Sequence, residues 1–400
     1  MQKLELPEPS AAEKNQSNKL TELIRQRIDE AGGWIPFDAY MQMALYTPGL
    51  GYYSGGQQKF GEQGDFITSP EVSPLFARSL AQPVAKLLNK IPGGKIIEFG
   101  AGSGKLALEL LKELQTLEQL PDRYYIVELS AELQLRQREY IESRAPELVT
   151  CVQWLTALPE KSLDAVVIAN EVLDAMPVKR FSYQDVQLMQ LGIACRNNTL
   201  QLEYKNADEN LQTKVNELDI EVIKQASAGI NAQQHAKYAS EINCYISPWI
   251  SALSNCINTG AVYIIDYGYV EREYYSAERN MGTFMGYFRH RAIDAPLWYP
   301  GLQDLTAFVN FTAVAEAALK NDFDVDGFTS QGNFLINCGL ADILEQTETA
   351  SNREYLMLAQ QMKTLSLPGE MGERFKVLGL SKGLDDNMPG FELRDMRYSL

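Results

Sequence analysis

A glycine-rich turn between a short apolar strand and an amphipathic helix constrains the fold of this chain more than any other feature. The turn runs from Glu98 to Gly104 (EFGAGSG). It follows a predicted strand over residues 95–99 and opens a predicted helix over residues 103–115. Further strands alternate with helices along the chain, and we predict them at 124–127, 149–154, 163–169 and 261–266. Strands that alternate with helices predict an α/β protein with a parallel, doubly wound sheet.

Three kinds of nucleotide site place glycines at such a turn, and the sequence distinguishes them. A Rossmann G-x-G-x-x-G requires a glycine where this chain has Lys105, which weakens that interpretation. A Walker A loop requires glycine at position 99 and Ser or Thr at position 106, and Phe99 and Leu106 do not fit. The third form, acidic-x-G-x-G-x-G, is associated with S-adenosylmethionine sites, where the carboxylate can face a cationic amino-acid group. The residues that it assigns to the cofactor are Glu98, Gly100, Gly102 and Gly104. A glycine turn without a ligand is the alternative.

Acidic and amide side chains follow two of the other predicted strands. Glu128 ends the second strand, 24 residues after Gly104, where a carboxylate suits the ribose hydroxyls of an adenosine ligand. Asn170, Glu171 and Asp174 follow the fourth strand, at the edge where open α/β sheets bind ligands. We assign Asn170 to the cofactor site. The alternatives are a solvated charge at Glu128 and, for Asp174, an acidic helix N-terminus.

Composition excludes several other classes of protein. Of the 400 residues, 36 are Lys or Arg and 52 are Asp or Glu, so the net charge of −16 disfavours nucleic acid as the main partner. No apolar run approaches the ~18 residues that span a bilayer, so we expect no membrane insertion. The five cysteines stand singly and the histidines number only two, which predicts no metal site and no Ser-His-Asp constellation. We expect a protein of a reducing compartment, the cytoplasm.

The flanking regions suggest a division of the chain into segments. Residues 1–17 are predicted to be a flexible lead, and residues 18–94 a helical N-terminal cap that contains a glycine-rich substrate loop from Gly49 to Glu71. Residues 95–177 and 246–400 are assigned to the core. Between them, the period-two alternation near 181–183 and 200–204 predicts an inserted antiparallel subdomain over 178–245.

Several segments together resemble the MidA-type methyltransferases, whose mitochondrial relatives are the complex I assembly-factor arginine methyltransferases. The segments are GYY at 51–53, GDFITSPE at 64–71, EFGAGSG at 98–104, VELS at 127–130, ANEVLDAMP at 169–177 and IDYG at 265–268. The resemblance implies a class I, Rossmann-like fold that uses S-adenosylmethionine. It also implies a protein substrate, which in the mitochondrial branch is an arginine on a respiratory-complex subunit.

Methyl transfer to arginine requires acids, because the guanidinium is always protonated and carboxylates can orient it. The candidate catalytic residues are Glu171 first, then Asp65, with Glu71 and Asp174. Methylation of another protein side chain or of a small molecule is the alternative, and a noncatalytic assembly factor that keeps the fold as a scaffold is a third.

Overall fold

The protein is described by a computed structural model, which covers residues 6–55, 68–91, 93–184, 186–228, 238–347, 351–385 and 387–400. The helices are α1 (Ala11–Glu30), α2 (Phe37–Tyr46), α3 (Ser69–Val72), α4 (Pro74–Lys90), α5 (Lys105–Thr116), α6 (Ala131–Arg144), α7 (Glu209–Glu217), α8 (Glu221–Ser227), α9 (Ile246–Cys256), α10 (Glu271–Tyr274), α11 (Phe311–Leu319), α12 (Gln331–Asn337), α13 (Leu340–Gln346), α14 (Asn352–Ser366) and α15 (Met371–Arg374). The strands are β1 (Trp34–Pro36), β2 (Lys95–Phe99), β3 (Tyr124–Val127), β4 (Val152–Leu155), β5 (Leu163–Asn170), β6 (Lys179–Gln184), β7 (Gln187–Arg196), β8 (Thr199–Asn206), β9 (Ala239–Ile242), β10 (Ile257–Tyr269), β11 (Met285–Phe288), β12 (Arg291–Ile293), β13 (Asp304–Thr306), β14 (Val309–Asn310), β15 (Asp324–Ser330) and β16 (Phe375–Lys382).

The central sheet has the strand order β15-β16-β10-β5-β2-β3-β4, with β14 paired to the end of β10. Strands β10, β5, β2, β3 and β4 are mutually parallel, which confirms the predicted doubly wound architecture. Strands β15 and β16 extend this sheet on the β10 side as antiparallel neighbours. The chain adds strands on one side of β2 through β3 and β4 and on the other side through β5 and β10. The boundary between β2 and β5 is therefore the topological switch point, where open α/β sheets bind ligands.

Both faces of the central sheet are covered by helices. Ile96, Val166 and Ile168 pack on one face beneath α4 and α5. Val167 and Val262 pack on the other face beneath α9 and α11. Side chains alternate across a strand, so β5 needs apolar residues at successive positions to fill both layers.

The N-terminal helix begins earlier than predicted. Helix α1 starts at Ala11, so residues 11–17 are helical, and the flexible lead predicted over residues 1–17 is wrong for them. The physical reason is a capping box, in which the Ser10 hydroxyl accepts from the Glu13 backbone N–H and the Glu13 carboxylate accepts from the Ser10 N–H. The prolines and polar residues of this stretch concealed that local signal.

Two smaller antiparallel sheets complete the fold. The first has the order β1-β7-β6-β9 with β8 beside β7, so the antiparallel strands predicted within 178–245 are present. Strand β1 of the predicted cap pairs with β7 of the predicted insertion, with Ile35 opposite Ile193. The second sheet has the order β12-β11-β13. The exact division of the chain into the predicted segments stays a prediction.

In the described part of the chain, no helix combines the length and the apolar character that a membrane span requires.

Candidate active site

A cavity of about 980 Å³ opens at the carboxyl ends of β2, β3 and β5. Its walls are formed by the glycine turn after β2, by residues 127–133 after β3 and by residues 170–177 after β5. Tyr46 of α2, Trp249 of α9 and Asp304 of β13 also line it. The cavity therefore lies at the topological switch point, with the N-terminal helices and the β12-β11-β13 sheet contributing side chains from outside the core.

The glycine turn adopts a conformation that residues with a Cβ avoid. Gly100, Gly102 and Gly104 have φ angles of 59°, 54° and 84°. Gly104 is the N-cap of α5 in the left-handed region, and a Cβ there would approach Gln137 Cα to 3.3 Å. The glycines are thus required both for the turn itself and for the close approach of α6.

Glu98 is buried beside the turn and lines the cavity. One of its carboxylate oxygens accepts a hydrogen bond of 2.7 Å from the Tyr124 hydroxyl on the neighbouring strand. Burial raises the pKa of Glu98 to about 8, and the nearby Glu128 carboxylate adds to the rise. The predicted contact of Glu98 with a cationic group of the cofactor stays a prediction.

Glu128 is held at the end of β3 by two donors. Its Oε1 accepts from the Ser130 backbone N–H at 2.9 Å, and its Oε2 accepts from Gln137 Nε2 at 3.3 Å. Ser130 is also the N-cap of α6, because its hydroxyl accepts from the Leu133 N–H. The carboxylate is consequently fixed in direction where β3 meets the cavity.

Asn170 and Glu171 form a hydrogen-bonded pair at the end of β5. Asn170 Nδ2 donates to Glu171 Oε1 at 3.3 Å, and the Ser69 backbone N–H donates to the same oxygen at 3.1 Å. Asn170 Oδ1 is buried and has no hydrogen-bond partner among the residues that the structure describes, so it offers an acceptor on this wall. Glu171 has a φ of 53°, an unusual conformation for a residue with a side chain.

The pKa of Glu171 is raised to about 8, first by burial and then by the carboxylates of Asp174 and Asp304. No described lysine, arginine or histidine forms a salt bridge with Glu171 or Asp174. This end of the cavity therefore holds several acidic groups close together. Their mutual repulsion favours either protonation of a carboxylate or the binding of a cation.

Asp174 is anchored by buried hydroxyls. Its Oδ2 accepts from the Tyr267 hydroxyl and, at 2.9 Å, from Thr306 Oγ1, while its Oδ1 is buried and has no partner in the described part of the chain. Burial raises the pKa of this carboxyl. No helix begins at Asp174, since residues 171–176 form bends and turns, so the alternative of an acidic helix N-terminus is not what the structure shows.

Asp266, beneath this segment, fixes its backbone. Its fully buried Oδ2 accepts from the N–H groups of Leu173 and Asp174 at 3.0 and 3.2 Å. Burial raises the pKa of Asp266 well above its usual range, and the carboxylates of Asp174 and Glu171 raise it further.

Asp304 is an acid that the sequence did not point to. It lies on β13, lines the cavity and accepts a 2.9 Å hydrogen bond from the Tyr53 hydroxyl. Tyr53 stacks on Tyr46, whose hydroxyl donates to the Ala175 carbonyl. No sequence motif surrounds Asp304, and only the pairing of β13 with β11 brings it to the site.

The remaining predicted acids behave differently. Glu71 lines the cavity, but its carboxylate accepts from the Ser103 hydroxyl and its backbone carbonyl accepts from Lys105 Nζ at 3.0 Å. Glu71 therefore faces the glycine turn. Asp65, together with most of the loop up to residue 67, lies outside the described residues.

Residues 75–329 match the family described as "Putative S-adenosyl-L-methionine-dependent methyltransferase". The match covers more than half of the chain. The protein belongs to this methyltransferase family. Its cofactor is S-adenosylmethionine, as the glycine turn predicted.

The methyltransferase resembles mitochondrial and bacterial proteins over almost its whole length. A mitochondrial protein arginine methyltransferase NDUFAF7 homolog of Drosophila melanogaster is 26% identical, and the alignment covers 95% of this chain and 89% of the relative. The human mitochondrial protein arginine methyltransferase NDUFAF7 is 24% identical, with 91% and 84% covered. A crystal structure of a Burkholderia thailandensis protein bound to S-adenosyl-homocysteine is 39% identical, with a TM-score of 0.90 and coverage of 99% of this chain and 100% of that one.

The cavity of the methyltransferase fits such a cofactor. Gly100 and Gly102, which have no Cβ atom, line the cavity, and Glu128 presents a carboxylate at the end of the next strand. Asn170, which also lines the cavity, supplies a further acceptor through its Oδ1, which no described residue contacts by a hydrogen bond. The cofactor roles of Glu98, Glu128 and Asn170 stay predictions of the sequence with which this geometry agrees.

Proposed function

We propose that this methyltransferase acts on an arginine side chain of a protein. The observation that carries the proposal is the acidic end of the cavity, where Glu171, Asp174 and Asp304 are close enough to raise the pKa of Glu171. A guanidinium would relieve their mutual repulsion and could be oriented by hydrogen bonds to two carboxylates. The names of the mitochondrial relatives, protein arginine methyltransferases, support the same acceptor.

The chain's own residues divide the work of the proposed reaction. S-adenosylmethionine supplies a methyl group on a sulfonium, which the acceptor nitrogen takes as the carbon–sulfur bond breaks and S-adenosylhomocysteine remains. Glu171 orients the guanidinium and accepts the proton that the methylated nitrogen loses, since a carboxylate with a pKa near 8 binds a proton more tightly than an ordinary glutamate. Asp174, fixed by Tyr267 and Thr306, holds the opposite side of the cation. Positioning is the main contribution of the protein to such a displacement.

The test is a transfer experiment with isotopically labelled S-adenosylmethionine. The purified protein is incubated with a lysate of host cells whose own copy has been inactivated, and mass spectrometry locates the label. We expect it on arginine of one or a few proteins, and we expect Glu171→Gln to abolish its transfer while retaining cofactor binding. Label on lysine or on a small molecule would contradict the proposed acceptor, and cofactor binding without any transfer would indicate a scaffold.

We further propose that the acceptor protein is a respiratory-complex subunit, which rests on the resemblance to the mitochondrial assembly factors. The cytoplasmic location stays a prediction of the sequence.

A further inference from the structure

A buried glutamine connects the two parts of the chain that are assigned to the cofactor. Gln137 lies on α6 and is fully buried. Its Nε2 donates to the Gly102 carbonyl at 3.0 Å and to Glu128 Oε2 at 3.3 Å. Its Oε1 accepts from Trp154 Nε1 on β4 at 2.9 Å. One side chain thus touches the glycine turn, the acid after β3 and the strand beyond it.

These partners determine which way the amide points. Gly102 O and the Glu128 carboxylate can only accept, and the indole N–H of Trp154 can only donate. The opposite orientation would place Oε1 against two acceptors and Nε2 against a donor. Neither glutamate nor methionine could satisfy the same set, because glutamate offers only acceptors when ionised and methionine offers no N–H donor.

We propose that Gln137 is a positioning residue for S-adenosylmethionine. It fixes the peptide after Gly102 and the second oxygen of Glu128 before the cofactor arrives, so that neither group has to be ordered on binding. Trp154 does not line the cavity, and it contacts Gln137 on the side away from the cofactor site. The Arg138 guanidinium lies 4.5 Å from the centre of the Trp154 ring. The inference rests on the cofactor site and not on the arginine acceptor.

The test uses calorimetry with S-adenosylhomocysteine, which needs no acceptor and is therefore independent of the proposed function. Gln137→Met should raise the Kd about ten- to hundredfold, since it removes one neutral and one charge-assisted hydrogen bond from the groups that receive the ligand. In steady-state assays the KM for S-adenosylmethionine should rise similarly, with kcat at saturating cofactor within about twofold of wild type.

Trp154→Phe is the second variant, in case Gln137→Met does not fold. This substitution removes the N–H donor to Gln137 Oε1 and keeps an aromatic ring at position 154. It should raise the Kd for S-adenosylhomocysteine about three- to tenfold. Gln134→Met is the matched control, because Gln134 lies on the same helix and donates at 2.7 Å to the Glu128 backbone carbonyl instead of the carboxylate. Its Kd should stay within about twofold of wild type.

The double variant Glu128→Gln with Gln137→Met should bind more weakly than either single variant, but by less than the product of the two single losses, because Gln137 acts partly through Glu128 and partly through Gly102. An unchanged Kd in both Gln137→Met and Trp154→Phe would overturn the proposal. An equal loss in Gln134→Met would also overturn it, because the effect would then belong to the packing of α6.

Discussion

Glu171 combines a raised pKa with a position among other acids, and this predicts the pH dependence of the reaction. The free enzyme holds a proton on Glu171 below pH 8, and only the ionised form can orient a guanidinium. We therefore expect kcat/KM for the protein acceptor to rise about tenfold per pH unit below pH 8 and to level off above it. The measurement is a pH–rate profile at saturating S-adenosylmethionine.

Glu98 supplies the control for this profile, because burial raises its pKa to about 8 as well. The profile should persist in Glu98→Gln if the ionisation belongs to Glu171. A profile that is flat between pH 6 and 8, or one that Glu98→Gln removes, would contradict the assignment.

Glu98 has a separate consequence for stability. The folded chain retains the Glu98 proton up to about pH 8, whereas an unfolded glutamate releases it near its ordinary pKa of 4.5. The folded state thus binds more protons between these values, so Glu98 lowers the free energy of unfolding by roughly 1.4 kcal/mol per pH unit as pH rises through this window. Denaturant unfolding without cofactor should show wild type losing stability relative to Glu98→Gln from pH 5 to 8, and no further relative loss above pH 8. A constant difference across this range would exclude the raised pKa.

Some site residues could be predicted from sequence because they are adjacent to the ends of strands. The glycine turn, Glu128 and Asn170 each follow an apolar segment within one or two residues, and the parallel sheet brings such ends together. Asp304 and Gln137 could not be found in this way. Asp304 reaches the cavity through a strand outside the core sheet, and Gln137 looks like any polar residue of a surface helix until α6 is packed against the turn.

At the scale of elements, Gly104 joins the glycine turn to α5 and lies against α6, so both its backbone conformation and its packing favour glycine. Gly104 and Gly93 both have positive φ, at 84° and 69°, but a Cβ at Gly104 would meet α6, whereas a Cβ at Gly93 would meet nothing within 4 Å. Gly93→Ala should therefore cost about 1 kcal/mol of backbone strain alone. Gly104→Ala should cost more, because α6 must also move.

The two variants differ as well in what they do to ligand binding. Displacement of α6 carries Gln137 away from the turn, so Gly104→Ala should weaken S-adenosylhomocysteine binding while Gly93→Ala leaves its Kd unchanged. Urea unfolding and calorimetry on both variants make the comparison. Equal losses of stability with equal Kd values would show that crowding against α6 is unimportant.

The core elements were predicted more successfully than the pairing outside the core. The predicted strands over 95–99 and 124–127 agree with β2 and β3, because each is a short apolar segment bounded by turn residues. The pairing of β1 with β7 was not predicted. It depends on contacts between residues such as Ile35 and Ile193 that are far apart in the chain, and no local pattern encodes that partnership.

At the scale of the whole molecule, the cavity is formed by two of the three sheets together with the N-terminal helices. The core sheet supplies Glu128 and Glu171, the N-terminal helices supply Tyr46 and the β12-β11-β13 sheet supplies Asp304. Strand β1, which lies between helices α1 and α2, pairs with β7 of the inserted strands and so connects these two regions. The acidic end of the cavity is thus shared between the core sheet, which supplies Glu171, and the β12-β11-β13 sheet, which supplies Asp304.

The net charge of −16 predicts how the proposed acceptor reaches this cavity. A negative field attracts a cationic protein segment, and it is screened as the Debye length falls from ~30 Å at 0.01 M to ~8 Å at 0.15 M ionic strength. We expect kcat/KM for an arginine-rich acceptor to fall several-fold over this range, mainly through slower association. The Kd of S-adenosylhomocysteine, measured in the same buffers, is the control and should change by less than about twofold, since that ligand is held by short-range contacts. A kcat/KM that is independent of salt would argue for a small or uncharged acceptor and against the cationic protein segment proposed above.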